Sequence, residues 1–168
     1  EFLNYIKGEN VISSNGYLTN LNYINKALVE YCEIWSKISS DKLYSHGDFS
    51  LDNIIFTDSA PIIIDWEHFS HSILPIGFDA LNLIYEQLYF LTNNSKINDN
   101  VIKDINLKLE KLHSHECLNM CFIKKPLLKL HELIYSNKDI WGKQICKLPI
   151  LKFSQSQLKE LDQLIYLH

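Results

Sequence analysis

Arginine is missing from this chain: all 16 of its basic side chains are lysines. A planar, bidentate guanidinium clamp on phosphate is thereby excluded, so any phosphate must meet lysine, metal or backbone N–H groups. Glycine is sparse too, with five residues at positions 8, 16, 47, 77 and 142 and no glycine-rich cluster. The only methionine is Met120, and the chain opens on Glu1-Phe2. A processed, cloned or proteolysed piece is therefore expected, with Glu1-Phe2 a candidate fusion scar. The four cysteines, at positions 32, 117, 121 and 146, follow no secretory signal and are too few for a disulfide scaffold. Reduced thiols in a cytoplasm are expected. No run of about 18 apolar residues exists, so no membrane span is expected. With 20 acids against 16 bases the net charge is −4, which leaves no electrostatic footprint for nucleic acid or an anionic membrane. What is present is 46% apolar residues in 168, enough for one compact domain with a sizeable core.

Hydrophobic spacing predicts a mostly helical chain around one hairpin. Residues 3–18 read as an extended stretch with turns at Gly8 and at Asn15-Gly16. A helix over 20–39, capped by Thr19 or Asn20, would bury Ile24, Ala27, Leu28, Tyr31, Ile34, Trp35 and Ile38 on one face, and Ser39, Ser40 and Asp41 would end it. Residues 44–53 read as a polar loop. Two isoleucine-rich runs, 53–57 and 61–66, flank Asp58-Ser59-Ala60 in a hairpin pattern. Further helices fit 78–92, 99–113, 115–136 with a kink or break at Pro126, and 155–167, the last opened by a Ser154/Gln157 capping box.

The chemistry concentrates in His46-Gly47-Asp48-Phe49-Ser50-Leu51-Asp52-Asn53 and in Ile63-Ile64-Asp65-Trp66-Glu67. Asp48 and Asn53 stand at the two ends of one loop. The hairpin returns Asp65 beside them, so three oxygen-bearing side chains can converge. Adjacent carboxylates repel, and burial worsens this. A divalent cation removes the problem. Mg²⁺ prefers hard oxygen ligands, few of them carboxylates, with phosphate completing its shell. Asn53 and Asp65 suit that role and leave Asp48 to accept a proton from an attacking hydroxyl.

This pattern resembles the aminoglycoside phosphotransferase and choline kinase group of the protein-kinase-like superfamily. Asp48 and Asn53 match the spacing of the catalytic-loop aspartate and its metal-binding asparagine, and Asp65 matches the downstream metal aspartate. Gly47 replaces the arginine of protein kinases, Ser50 their catalytic-loop lysine, and Trp66-Glu67 their Phe-Gly. No Ala-Pro-Glu triplet follows. These differences point to the small-molecule branch. The resemblance implies an α+β, mostly α-helical fold: a protein-kinase-like C-lobe with one catalytic β-hairpin, forming a single domain over 1–168. It implies Mg²⁺ and ATP or GTP as cofactors and a small-molecule hydroxyl acceptor. Asp48 would be the base, and Asn53 and Asp65 the metal ligands. His46 would be a catalytic group or a structural brace of the loop. Glu67 would touch metal or substrate, or be a solvated charge at the hairpin end. Asn4-Tyr5-Ile6-Lys7-Gly8-Glu9 resembles the inter-lobe hinge, over residues 1–10, so the backbone of Tyr5 and Ile6 would meet the adenine. Residues 43–67 would form the catalytic loop and metal hairpin and 77–168 a helical subdomain. Gly77-Phe78-Asp79-Ala80-Leu81 resembles the segment where a buried aspartate opens a helix. The departure lies at the front. No glycine-rich loop or upstream strand lysine is present, so the N-terminal lobe is expected as a missing partner and the isolated chain is expected to be inactive.

Other readings compete at several positions. His113, Cys117 and Cys121, four apart, would line one helical face near His115 and suit zinc, although cysteine also serves as a small apolar core residue. The tyrosines and Trp141 can cage a quaternary ammonium or simply pack. The leucines and isoleucines at 158, 161, 164 and 165 read as core. For the whole chain, the alternative to an enzyme is a degenerate kinase-like scaffold without catalysis.

Overall fold

The computed structural model describes residues 9–10, 21–35, 44–58, 60–71, 74–93, 98–136 and 149–165. These form a mixed α/β, mostly helical molecule. In chain order they are β1 (Glu9–Asn10), α1 (Leu21–Trp35), β2 (Tyr44–Ser45), β3 (Ile54–Phe56), β4 (Pro61–Ile63), β5 (Ser70–His71), α2 (Phe78–Asn93), α3 (Asp99–Ser114), α4 (Pro126–Ser136) and α5 (Gln155–Leu164). The predicted hinge residues Tyr5 and Ile6, the caps Thr19 and Asn20, the terminator 39–41 and Trp141 lie outside the described residues.

The expected hairpin is there. β3 and β4 pair antiparallel with Ile54 opposite Ile63 and Phe56 opposite Pro61, and β1 adds to the free side of β3. Thr57 closes the turn, its hydroxyl donating to the Ala60 carbonyl at 2.8 Å. A second, two-stranded pairing joins β2 to β5. Residues 44–53 are thus less of a loop than their polarity predicted. Tyr44 and Ser45 pair as a strand, residues 51–53 wind into a 3₁₀ turn, and Phe49 and Leu51 are buried. Two apolar side chains in a polar stretch anchor it to the core.

Helix α2 is the axis of that core. Every side chain from Phe78 to Leu88 is buried, and α1, α4 and the 3₁₀ turn Pro149–Lys152 pack around it. A helix buried on all sides needs neighbours on all sides. The predicted bounds of α2 and α3 hold to within a residue, and Asn98 caps α3 by accepting from the amides of Asn100 and Val101. The capping box of α5 forms as its spacing predicts, with Ser154 and Gln157 bonding reciprocally.

The helix expected over 115–136 does not exist as one piece. α3 ends at Ser114, residues 120–122 make a 3₁₀ turn, and Pro126 is the first residue of α4. Glu116 and Lys125 both adopt positive φ, which a continuing helix forbids. Proline breaks a helix when internal but suits its first position, where no N–H is needed. The next two N–H groups, of Leu127 and Leu128, donate to the carboxylate of Asp162 on α5, at 2.9 Å each. His113, Cys117 and Cys121 therefore share no helical face: Cys117 is buried, Cys121 exposed.

Candidate active site

The segment 46–53 crosses the surface of α2 and is held there by polar side chains of that helix. Asp79, in its first turn, accepts from the N–H groups of His46 at 2.7 Å and Gly47 at 3.0 Å. One turn on, Asn82 donates to the Phe49 carbonyl at 3.4 Å, and Glu86 accepts from the Leu51 N–H at 2.9 Å. Positions 79, 82 and 86 fall on one helical stripe. Sequence reasoning found Asp79 but missed Asn82 and Glu86. The signal was available: they are polar residues three and four apart, on one face of a mostly apolar helix.

The other wall is the turn after β4. The strand ends at Ile63, three residues short of the predicted Trp66; Asp65 then takes a left-handed conformation, φ 61° and ψ 59°, and a 3₁₀ turn starts at Trp66–His68. A non-glycine residue there carries strain of about 1–3 kcal/mol, a feature that gathers at functional sites. Gly47 presses against this turn. Its φ is +85°, and a Cβ at that position would sit 2.6 Å from the His68 carbonyl oxygen and 2.9 Å from its Cβ. Only glycine allows the two segments to approach so closely.

His46 links loop and hairpin. Its Nε2 donates to the Ile64 carbonyl at 2.8 Å, and its Nδ1 accepts from the Asp48 N–H at 3.4 Å. That pairing fixes the neutral tautomer with the proton on Nε2. Burial lowers its pKa, opposed by the Ile64 hydrogen bond and by the charges of Asp48 and Asp65. The ring also packs on Trp66, centroids 4.7 Å apart. Both nitrogens are occupied within the chain, which is the bonding a structural brace of the loop makes.

Asn53 reaches back across the loop. Its Nδ2 donates to the Asp48 carbonyl at 2.9 Å and to the Asp48 carboxylate at 3.2 Å. Two acceptors on one side require the NH₂ end of the amide there, which leaves the amide oxygen as the end available to a cation. Asp48 and Asn53 are thus in direct contact. Asp65 lies within electrostatic range of His46, as Asp48 does, and the charges of both act on its imidazole. Asp52 lies near as well, its pKa raised by burial and by the charge of Asp48. Glu67 is exposed, with its Oε1 3.2 Å from the His68 Nε2. Trp66 and Phe69, 42% and 46% exposed with centroids 5.8 Å apart, flank these acids on the open side.

The Asp65 carboxylate and the Asn53 amide oxygen are hard-oxygen donors of the kind Mg²⁺ takes. Among the described residues no three His, Cys, Asp or Glu side chains gather as a metal site, neither at this loop and hairpin nor at 113, 117 and 121. Tyr31 and Tyr85 are fully buried core residues and line no aromatic cage. Comparison of the chain with protein-family models, curated proteins and solved structures returned no match.

Proposed function

We propose that the chain is the catalytic and metal-binding lobe of a phosphotransferase that moves a phosphoryl group from ATP to a hydroxyl of a small molecule. The observation that carries this reading is the Asn53 amide, which spans the loop to bond both the carbonyl and the carboxylate of Asp48. It ties the aspartate to the asparagine five positions on, the sequence spacing of the kinase catalytic loop.

Each residue has a task in that chemistry. Asp48, half-exposed at the loop's tip, accepts the proton of the attacking hydroxyl. Asn53 orients that carboxylate and, with Asp65, presents oxygens to Mg²⁺. Bound Mg²⁺ neutralises phosphate charge and aligns the transferred group. Asp79, Asn82 and Glu86 fix the loop so that little reorganisation is needed when substrate arrives. His46 ties the loop to the residue before Asp65. In a chain without arginine, the phosphates depend on metal, lysine and backbone N–H groups, and a second lobe would supply the remainder.

The test is a screen of hydroxyl compounds with ATP and Mg²⁺, using this chain joined to its nucleotide-binding lobe and reading ADP release. An acceptor that raises ADP release, with Asp48→Asn lowering turnover by roughly 10²–10⁴-fold, supports the reading. Release that is indifferent to Asp48→Asn for every acceptor contradicts it.

A further inference from the structure

Two thiols from distant parts of the chain meet in the core. Cys32 lies in the last turn of α1 and Cys117 in the turn that follows α3. The Cys117 Sγ lies 3.9 Å from the Cys32 carbonyl oxygen and 3.4 Å from the His115 carbonyl oxygen, so the Cys117 thiol packs directly on the last turn of α1. Cys32 is 6% exposed and Cys117 is fully buried, so neither is a stray surface thiol. We propose that Cys32 and Cys117 form a redox dithiol site, which a small peroxide closes to a disulfide.

The surroundings divide the labour between them. The hydrogen bond from Cys117 lowers the Cys32 pKa to about 7 against the opposing effect of burial, and the charges of His115 and Lys111 add to the lowering. Cys117 moves the opposite way, raised by its bond to Cys32, by burial and by Glu116. Cys32 is also the more exposed of the two, 6% against 0%, which makes it the nucleophile and Cys117 the resolving thiol. A cavity of about 60 Å³ between α1 and α3 is lined by Cys32, Lys108 and Lys111. It has room for a few water-sized molecules, so hydrogen peroxide fits and a bulky disulfide such as oxidised glutathione does not.

The chemistry balances in two steps. The Cys32 sulfur attacks the peroxide O–O bond, which breaks; Cys32 becomes a sulfenic acid, and the leaving oxygen departs as water with the thiol proton. The Cys117 sulfur then attacks the Cys32 sulfur. The S–O bond breaks, a second water leaves, and the S–S bond forms. Two thiols are oxidised by two electrons and one peroxide is reduced to two waters. The bridge would tie α1 to the 115–118 turn at a sensitive junction. There the Tyr31 hydroxyl accepts from the Gly77 N–H at 3.1 Å, and a Cβ on Gly77 would meet the Cys117 carbonyl at 2.9 Å.

The experiment titrates the full chain with hydrogen peroxide at pH 7, blocks remaining thiols with N-ethylmaleimide and maps the peptides by mass spectrometry. The expected result is a Cys32–Cys117 linked pair, lighter by two hydrogens, appearing about 10-fold faster than oxidation of the exposed Cys121. In Cys117→Ser, dimedone should trap a sulfenic acid on Cys32 that the wild-type chain resolves too fast to trap. Oxidation of Cys121 ahead of the pair, or Cys32 and Cys117 both still alkylated after Cys121 is consumed, overturns the proposal. The wild-type map alone decides if the variant does not fold.

Discussion

Asp79 carries two burdens: it is a fully buried carboxylate, and it satisfies two backbone N–H groups of the loop. Burial raises its pKa to about 6, although the two amide bonds pull it down. The folded chain therefore binds a proton at Asp79 more readily than the unfolded chain does. Its contribution to stability is largest below the unfolded carboxylate value and is lost as pH rises through about 6. Asparagine does not titrate and offers one acceptor where two donors wait. Asp79→Asn should lower stability at every pH, and the gap to wild type should widen by about 1 kcal/mol as pH falls from 7 to 5. Urea unfolding at the two pH values checks this, and a gap that narrows would mean the amide bonds outweigh burial. Gly47→Ala is a second test at this scale. It forces a side chain into positive φ and onto the His68 carbonyl, and it should cost about 2 kcal/mol or more in the same assay. Gly47 and Asp48 were both legible from the motif. The need for glycine at 47 was not, because its neighbour His68 comes from a turn 21 positions along the chain.

Helices α4 and α5 pack against each other, and one polar side chain, Asp162, joins their backbones. Asp162 of α5 accepts from the first two free N–H groups of α4, Leu127 and Leu128, at the end where the helix dipole favours an anion. Ser154, by contrast, caps its own helix through a local hydrogen bond. Asp162→Ala should therefore destabilise by about 2 kcal/mol and Ser154→Ala by about 1 kcal/mol, measured by thermal or urea unfolding. Equal costs would show that the inter-helix bonds add nothing beyond ordinary capping. The contrast also explains what sequence can reveal about elements. The capping box of α5 is a local spacing of three residues, and it was readable. The break before α4 was only half readable. Pro126 announces a boundary, but the positive φ at Glu116 and Lys125 and the partner at Asp162 are settled by tertiary packing. The same applies to the stripe Asp79, Asn82 and Glu86, whose purpose becomes visible only when the loop lies across α2.

At the scale of the molecule, the buried helix α2 provides a rigid floor, the β3–β4 hairpin provides one wall, and the loop 46–53 is clamped between them. Preorganised placement of this kind is most of what phosphoryl transfer asks of a protein. The motif positions 46, 48, 53 and 65 were legible because their chemistry is local to two short segments. The means of holding them was not, because it comes from α2. The central claim assigns Asn53 and Asp65 to the metal and Asp48 to the proton, and Mn²⁺ tests it on the chain itself. In a ¹⁵N-labelled sample with ATP, Mn²⁺ broadens signals close to where it binds. The account predicts that the amides of residues 48, 53 and 65 and the Asn53 side-chain amide broaden first. Asp65→Asn should raise the Mn²⁺ concentration needed by about 10-fold or more, while Asp48→Asn changes it little. Broadening centred away from residues 46–67, or a midpoint that shifts with Asp48→Asn and not with Asp65→Asn, would contradict the account.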